Sequence, residues 1–266
     1  MIERDFPYSA FDVRRSTLGV LLLPSITTML KPFLTADWRY LAMLNFVADP
    51  KLLQPFIPCG TELDYDNDKT FLSIVGFLFL DTRILGLPIP LYRDFEEVNL
   101  RFYVRKKSAD TWRRGVVFVR ELVPRRAIAL VARAFYGENY LALPMKHKIE
   151  HVDLKLNVEY SWRRGRKCES IKMSASGAPQ SIPAGSHAEF ITEHYWGYTS
   201  IRAGCSEYRV EHSRWKIWNA ETFELRADVT SLYGEQFAET LAAPPRSAFI
   251  ADGSPIEVQK RTIESA

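Results

Sequence analysis

Cysteine is scarce in this chain, and no two cysteines lie close together. The 266 residues include only Cys59, Cys168 and Cys205, and no C-x-x-C spacing occurs. The number and spacing favour neither a disulfide framework nor a zinc site, and they fit a reduced compartment. The five histidines also include no H-E-x-x-H pair. We therefore expect a cytoplasmic protein without a bound metal.

The common nucleotide and nucleophile motifs are also absent. The sequence has no P-loop, no G-x-G-x-x-G after a strand and no G-x-S-x-G elbow. These absences leave ATP, nicotinamide and serine-hydrolase chemistry without support. We expect no cofactor.

Neither charge nor long apolar runs dominate the chain. It has 35 basic and 32 acidic residues and a formal net charge of +3, a balance that predicts neither nucleic acid nor membrane as a partner. The apolar stretch in residues 14–30 is interrupted by Pro24 and is shorter than the about 20 apolar residues that span a bilayer. Its basic pair resembles an export signal, but no small-x-small cleavage site follows. We expect an N-terminal extension over residues 1–30.

Short strands separated by turns make up most of the remaining sequence. No linker divides it, so we expect one domain over residues 31–260 and a tail over 261–266. In residues 100–105, Leu100, Phe102 and Val104 alternate with Arg101, Tyr103 and Arg105. This alternation predicts a strand whose two faces lie in different environments. The fold class predicted is mainly antiparallel β (α+β) with a few packed helices.

Turn sequences, apolar runs and capping residues predict further hairpins, strands and helices. Two W-R-R-G stretches, beginning at Trp112 and Trp162, are expected at hairpin tips with both tryptophans exposed. The runs FLSIVGFLFL and AIALVARAF are apolar on both faces and predict strands that are covered on both sides. Residues 37–45 fit either a helix or a strand. Helices are predicted from the Asp49 cap to Pro58, from the Ser186 cap to Gly197, and from residue 232 to Pro244.

Several long stretches together resemble a known family. They are FLTADWRYLAMLNFVADPKLLQPFIPCGTELD, FLSIVGFLFLDTRILGLPIP, RDFEEVNLRFYVR, GVVFVRELVPRRAIALVARAFYGENY and EHYWGYT. In this order they resemble the YqjF-like proteins, which are similar in turn to the acetoacetate decarboxylase superfamily. The resemblance implies a single β-barrel or cone with helices packed outside and a pocket inside.

The resemblance also implies a chemistry that this chain has lost. Acetoacetate decarboxylase forms a Schiff base between a lysine and a ketone, and the lysine follows an A-I-A-L run. Here Arg133 and Gly137 match that pattern, but Tyr140 stands where the lysine would be. A tyrosine cannot form an imine. The nearby Lys146 and Lys148 lie in a sequence typical of a solvated turn.

The candidate ligand-binding residues are Glu97, Arg133, Tyr136 and Tyr140. A buried Arg133 needs a partner, and Glu97, or else Glu121, is expected to supply it. The arginine would either fix strand register or bind a ligand carboxylate. The tyrosines would either bind a carbonyl oxygen or plug the barrel with their rings.

Two functions remain open at this point. In the first, the barrel binds a small apolar carbonyl or carboxylate compound, or acts on it by acid–base chemistry, and no catalytic residue can be assigned. In the second, the barrel is filled with side chains and serves as a structural or protein-interaction module, with the basic hairpin tips and the two tryptophans as its surface. A homo-oligomer is compatible with either function.

Overall fold

Strands account for most of the protein in the computed structural model, which describes residues 31–89, 92–125, 137–202 and 204–265. The mainly antiparallel β fold is therefore confirmed. The strands are β1 (Leu34–Ala48), β2 (Glu62–Leu63), β3 (Thr70–Ile84), β4 (Leu87–Pro88), β5 (Phe95–Ser108), β6 (Thr111–Val123), β7 (Tyr140–Ala142), β8 (Met145–Val152), β9 (Lys155–Arg164), β10 (Lys167–Ser176), β11 (Gln180–Ser181), β12 (Trp196–Ile201), β13 (Gly204–His212), β14 (Lys216–Asn219), β15 (Thr222–Arg226), β16 (Ser247–Val258) and β17 (Thr262–Glu264). The α-helices among these residues are α1 (Pro50–Leu53), α2 (His187–Thr192), α3 (Val229–Tyr233) and α4 (Ala238–Ala242).

Two sheets contain all seventeen of the described strands, thirteen in the larger and four in the smaller. The larger sheet follows the order β11-β14-β16-β1-β3-β5-β6-β12-β13-β17, and the smaller follows β15-β10-β9-β8. Strand β13 also pairs with β16, the third strand in that order. Most neighbours are antiparallel, but β6 pairs in parallel with both β7 and β12. The stretch expected as a tail includes β17, which pairs with β13.

Both faces of the larger sheet are covered, as the apolar run in β3 predicted. On one face Leu100 and Phe102 of β5 lie in a core with Tyr160 and Ile171 of the smaller sheet. On the other face Tyr103 belongs to a second core that is rich in aromatic side chains. The run AIALVARAF, also predicted as a covered strand, lies outside the described residues. The alternation predicted for residues 100–105 therefore separates two cores.

The predicted helices form with different bounds. Asp49 caps α1 by accepting from the Lys51 amide at 2.9 Å, and Ser186 caps α2 by accepting from the Glu189 amide at 3.2 Å. The extension of α2 to Gly197 is wrong, because Trp196 and Gly197 instead pair with β6 and β13. The third helix is interrupted at Gly234, whose φ of 113° is outside the helical region. Residues 37–45, which fitted either structure, lie in β1.

The expectation that both W-R-R-G tryptophans are exposed is wrong for Trp162. Its side chain is buried, and its Nε1–H donates to Glu169 Oε2 at 2.6 Å. Trp112 is exposed and packs against the Arg105 guanidinium. The difference arises because Trp162 precedes its turn on the core-facing side of β9, whereas Trp112 follows its turn at the start of β6. In the described ranges, no helix is long and apolar enough to cross a membrane.

Candidate active site

A cavity of about 90 Å³, measured as the space open to the centre of a water molecule, lies on the aromatic face of the larger sheet. Its lining combines apolar rings, among them Trp38, Phe77 and Phe79, with an unusual number of polar groups. Three of these are glutamates with 4% or less of their surface exposed: Glu97, Glu121 and Glu138. Ligand sites in proteins commonly have this composition, an apolar cavity with a few converging polar groups.

Strand β5 directs three polar side chains, at alternate positions, into the cavity. Glu97, Asn99 and Arg101 are spaced two residues apart, so they project from the same face of the strand. The Asn99 amide donates from Nδ2 to Glu97 Oε1 at 3.0 Å. The intervening Val98 and Leu100 pack in the opposite core. A strand that is apolar on one face thus presents a polar row to the cavity.

A β-bulge brings Glu121 to the same side. Leu100 pairs with Arg120, but the next residue, Arg101, pairs with Phe118, so Val119 is the extra residue in β6. The bulge reverses which residues of β6 face the cavity, and Glu121 becomes the neighbour of Asn99. Bulges redirect side chains in this way beside functional sites. Without it, Arg120 would occupy the cavity face and Glu121 would point to the opposite face of the sheet.

The short segment before β7 adds Glu138, and the first residue of β7 adds Tyr140. Tyr140 lies beside Glu121 in the parallel pairing of β6 and β7. Gly137 has a φ of 76°, a left-handed conformation that glycine adopts without strain. This turn places Glu138 in the cavity, where its Oε1 accepts a hydrogen bond from the Tyr208 hydroxyl.

The environment raises the pKa of all three glutamates. Burial is the largest cause for each, because it disfavours the ionised carboxylate. It raises the pKa of Glu97 to about 8, with a further increase from the Glu138 charge and an opposing effect of Asn99. It raises the pKa of Glu138 to about 7, against the hydrogen bonds from Tyr208, Glu121 and Tyr140. At neutral pH, Glu97 is therefore mostly protonated and Glu138 is close to half ionised.

Glu121 also favours its protonated form. Burial, followed by the charges of Glu138 and Glu97, raises its pKa well above the usual range. The hydrogen bond that joins Glu121 and Glu138 raises the pKa of Glu121 and lowers that of Glu138, as expected when Glu121 holds the shared proton. Burial and the neighbouring glutamates also raise the pKa of Tyr140, so its phenol remains neutral. The cavity thus contains several carboxylic protons at neutral pH.

A histidine with a fixed partner completes the polar lining. His194 Nε2 lies 3.2 Å from Asp64 Oδ2, and the same oxygen accepts from Arg114 Nε at 2.6 Å. Burial lowers the pKa of His194 to about 4, so the ring is neutral. Burial alone would raise the pKa of Asp64, but the hydrogen bonds of His194 and Arg114 outweigh it and lower the pKa to about 2. Asp64 is therefore ionised.

No lysine contributes to the cavity. All twelve lysines of the sequence fall within the described residues, and none of them is among the lining side chains. Ten are exposed. The two half-buried lysines form ion pairs away from the cavity. Lys106 pairs with Glu207 and Glu264, and Lys172 pairs with Glu159. Since a Schiff base needs an amine at the ligand, the described structure provides no group for one.

The candidate residues divide into two groups. Glu97 and Tyr140 both line the cavity, whereas Arg133 and Tyr136 lie outside the described residues, so the expected pairing of Arg133 with Glu97 or Glu121 stays a prediction. Glu138, Tyr208 and His194 also line the cavity, although none of them was predicted as a site residue. Glu138 follows Gly137 near the end of the stretch GVVFVRELVPRRAIALVARAFYGENY, and this position beside Tyr140 was its only indication in the sequence. His194 had no comparable indication, because its partner Asp64 is 130 residues away.

Gly197 is required for the position of Tyr208. A Cβ atom at residue 197 would lie 2.2 Å from Tyr208 Cζ, far inside contact distance. We expect Gly197→Ala to lower the free energy of unfolding by about 1–3 kcal/mol, as overpacking does, and to displace the Tyr208 hydroxyl from Glu138. Urea unfolding measures the effect, with Ser200→Ala at an exposed position of the same strand as control. A Gly197→Ala protein as stable as the wild type would contradict this account of the packing.

Comparison with solved structures shows the fold. The chain is similar to acetoacetate decarboxylase from Legionella pneumophila, with a TM-score of 0.60 and 14% identity over 97% of this chain and 98% of the other. It is similar to an acetoacetate decarboxylase-like enzyme from Sphingomonas wittichii, with a TM-score of 0.59 and 14% identity over 89% and 95% of the two chains. It is also similar to the enduracididine biosynthesis enzyme MppR complexed with pyruvate, with a TM-score of 0.61 and 12% identity over 90% and 93%. The predicted likeness in fold to acetoacetate decarboxylase-like proteins is confirmed.

Sequence comparison identifies a nearer relative. The uncharacterized protein YqjF of Bacillus subtilis is 28% identical over 207 residues, which are 76% of this chain and 82% of that protein. The predicted YqjF-like relation is therefore confirmed. A family model described as an uncharacterized conserved protein, DUF2071, matches residues 35–255. This match spans most of the sequence, and the chain belongs to the DUF2071 family.

Proposed function

We propose that this protein binds a small carbonyl or carboxylate compound inside a barrel formed by the larger sheet, and that it catalyses proton transfer at the carbon next to the carbonyl group. The observation that carries the proposal is the cluster of three buried glutamates with raised pKa values in an apolar cavity. Perturbed carboxyls that converge on one cavity are typical of acid–base sites. The likeness to a pyruvate-bound MppR supports short keto acids as the first compounds to test.

The cavity size limits the ligand. One water needs about 10–15 Å³ of such volume, so a cavity of about 90 Å³ suits a molecule of roughly six to nine non-hydrogen atoms. The Arg101 guanidinium faces the same space and carries the positive charge that a carboxylate requires. A short keto acid meets both conditions.

The two titrating carboxyls take complementary roles. Ionised Glu138 removes a proton from the carbon beside the ligand carbonyl, so a C–H bond breaks and an O–H bond forms on Glu138. Protonated Glu97 gives its proton to the carbonyl oxygen, and the electron pair of the broken C–H bond becomes the C=C bond of an enol. Reversal of both steps restores the ketone. Pairs of groups with different pKa values are a recurrent arrangement for such reactions.

The roles of the other residues follow from their contacts. The Tyr208 hydroxyl donates to Glu138 and orients its carboxylate. Glu121, which stays protonated, and Tyr140 donate to the same carboxyl and favour its ionised form. Both tyrosines are therefore assigned to positioning, and Glu97 and Glu138 to the proton transfers.

Proton exchange in deuterated solvent tests the proposal. Wild-type protein is incubated with pyruvate in D₂O, and the loss of the methyl proton resonance is followed by NMR against a protein-free sample. We expect protein-dependent exchange, and stabilisation of the protein by pyruvate in a thermal-shift measurement. If neither exchange nor stabilisation occurs with pyruvate and related short keto acids, the proposal fails, and a structural or protein-interaction role becomes the better account.

A further inference from the structure

Unpaired polar atoms around the cavity describe the ligand in more detail. Five buried side-chain atoms on lining residues have no hydrogen-bond partner among the described residues. They are Trp38 Nε1, Asn99 Oδ1, Arg101 Nε, Glu121 Oε2 and His194 Nδ1. Buried polar groups in native proteins are nearly always paired, so such a concentration indicates that water or a ligand supplies the partners.

The hydrogen-bonding polarity of His194 is fixed by its neighbours. Asp64 is ionised and can only accept, so the hydrogen between it and His194 must lie on Nε2. Since the ring is neutral, Nδ1 then carries a lone pair and can only accept. The His194 side chain is 1% exposed, so bulk water does not reach Nδ1.

The other unpaired atoms around the cavity include both hydrogen-bond donors and acceptors. Trp38 Nε1–H and Arg101 Nε–H are donors, which suit the oxygens of a carbonyl or carboxylate. Asn99 Oδ1 joins His194 Nδ1 as an acceptor, because the Asn99 amide nitrogen already donates to Glu97. Glu121 Oε2 is a third acceptor, because the Glu121 proton is shared with Glu138. A simple keto acid has no donor of its own, so it would leave all three acceptors unpaired. A ligand ammonium group is disfavoured by the Arg101 charge and by glutamates that are largely protonated.

We propose that the preferred ligand is a small hydroxy-keto acid, and that His194 accepts a hydrogen bond from its hydroxyl group. This inference rests on the proposed function, because it describes the ligand of the same cavity. His194 is then a specificity-determining residue. A buried acceptor left without a donor costs binding free energy, so the site discriminates against compounds that lack the hydroxyl.

Two ligands that differ by one hydroxyl test the inference. Calorimetry gives the Kd of pyruvate and of 3-hydroxypyruvate for the wild type, and we expect 3-hydroxypyruvate to bind about tenfold more tightly, the effect of one good hydrogen bond. In His194→Phe the ratio of the two Kd values should fall to about one, because the acceptor is lost. The same result is expected for His194→Leu, which also lacks an acceptor, leaves Asp64 paired with Arg114 and tests the inference if the phenylalanine variant does not fold.

A second histidine provides a matched control. His187 also contacts an aspartate, with Nδ1 2.6 Å from Asp66 Oδ2, but it does not line the cavity. His187→Phe should keep the wild-type ratio. If wild-type protein binds pyruvate and 3-hydroxypyruvate equally, the inference is overturned while the proposed function stands. A preference that persists in both His194 variants overturns the role of His194, and binding of neither compound overturns the proposed function together with the inference.

Discussion

Replacing Glu138 with glutamine is expected to slow the exchange of pyruvate methyl protons by about 10²- to 10⁴-fold, the usual contribution of a positioned acid–base group. The amide cannot take up a proton, yet its oxygen can still accept from the Tyr208 hydroxyl, so the local structure should be preserved. Because the pKa of Glu138 is raised only to about 7, its carboxylate is present at neutral pH and remains basic. Exchange measured by NMR at saturating pyruvate isolates this step from binding.

Another buried glutamate serves as the control for this substitution. Glu169 is 3% exposed and accepts from Trp162 Nε1, but it lies outside the cavity. We expect Glu169→Gln to exchange pyruvate protons at the wild-type rate when the folded fractions are equal. Should Glu138→Gln match Glu169→Gln in rate, Glu138 would not be the base.

Replacing Glu97 with glutamine should stabilise the protein progressively as the pH rises. In the unfolded chain this carboxyl has a pKa of about 4.5, and in the folded protein burial raises it to about 8. Between these values the folded protein retains a proton that the unfolded chain has released, so the wild type loses stability with increasing pH. Glutamine does not titrate and avoids this loss.

The size of this change in stability follows from the raised pKa of Glu97. Each pKa unit corresponds to 1.36 kcal/mol, so the free energy of unfolding of Glu97→Gln relative to wild type should increase by roughly 2–4 kcal/mol between pH 5 and pH 8. Urea unfolding of both proteins at the two pH values measures the difference. A difference that is the same at both pH values, or that decreases at pH 8, would show that Glu97 ionises normally in the folded protein.

Alternation along β5 made part of this site predictable. The pattern from Leu100 to Arg105 separated the two faces correctly, and the resemblance directed attention to Glu97 and Tyr140. Both residues line the cavity. Asn99 lies two residues from Glu97 on the same strand, so the alternation places both side chains on one face. The contact between Tyr208 and Glu138 joins residues 70 positions apart, and no sequence pattern indicates it.

Other parts of the site depend on local irregularity. The extra residue at Val119 reverses the faces of β6, and an alternating pattern gives no sign of it. The burial of Trp162 was also not predictable from its neighbours in sequence. The two arginines that follow it indicated an exposed turn, but Trp162 lies in β9 opposite Glu169 and is buried. His194 acquires its fixed tautomer from Asp64 through tertiary structure alone.

Reductive trapping tests the central claim, that the cavity uses carboxyl protons in place of an amine. Protein in the presence of pyruvate is treated with sodium borohydride, which converts a Schiff base into a stable secondary amine, and the intact mass and tryptic peptides are then analysed. The account predicts pyruvate proton exchange before treatment and no pyruvate adduct on any of the twelve lysines afterwards. A stoichiometric adduct on one lysine would contradict it and would restore covalent catalysis to this chain.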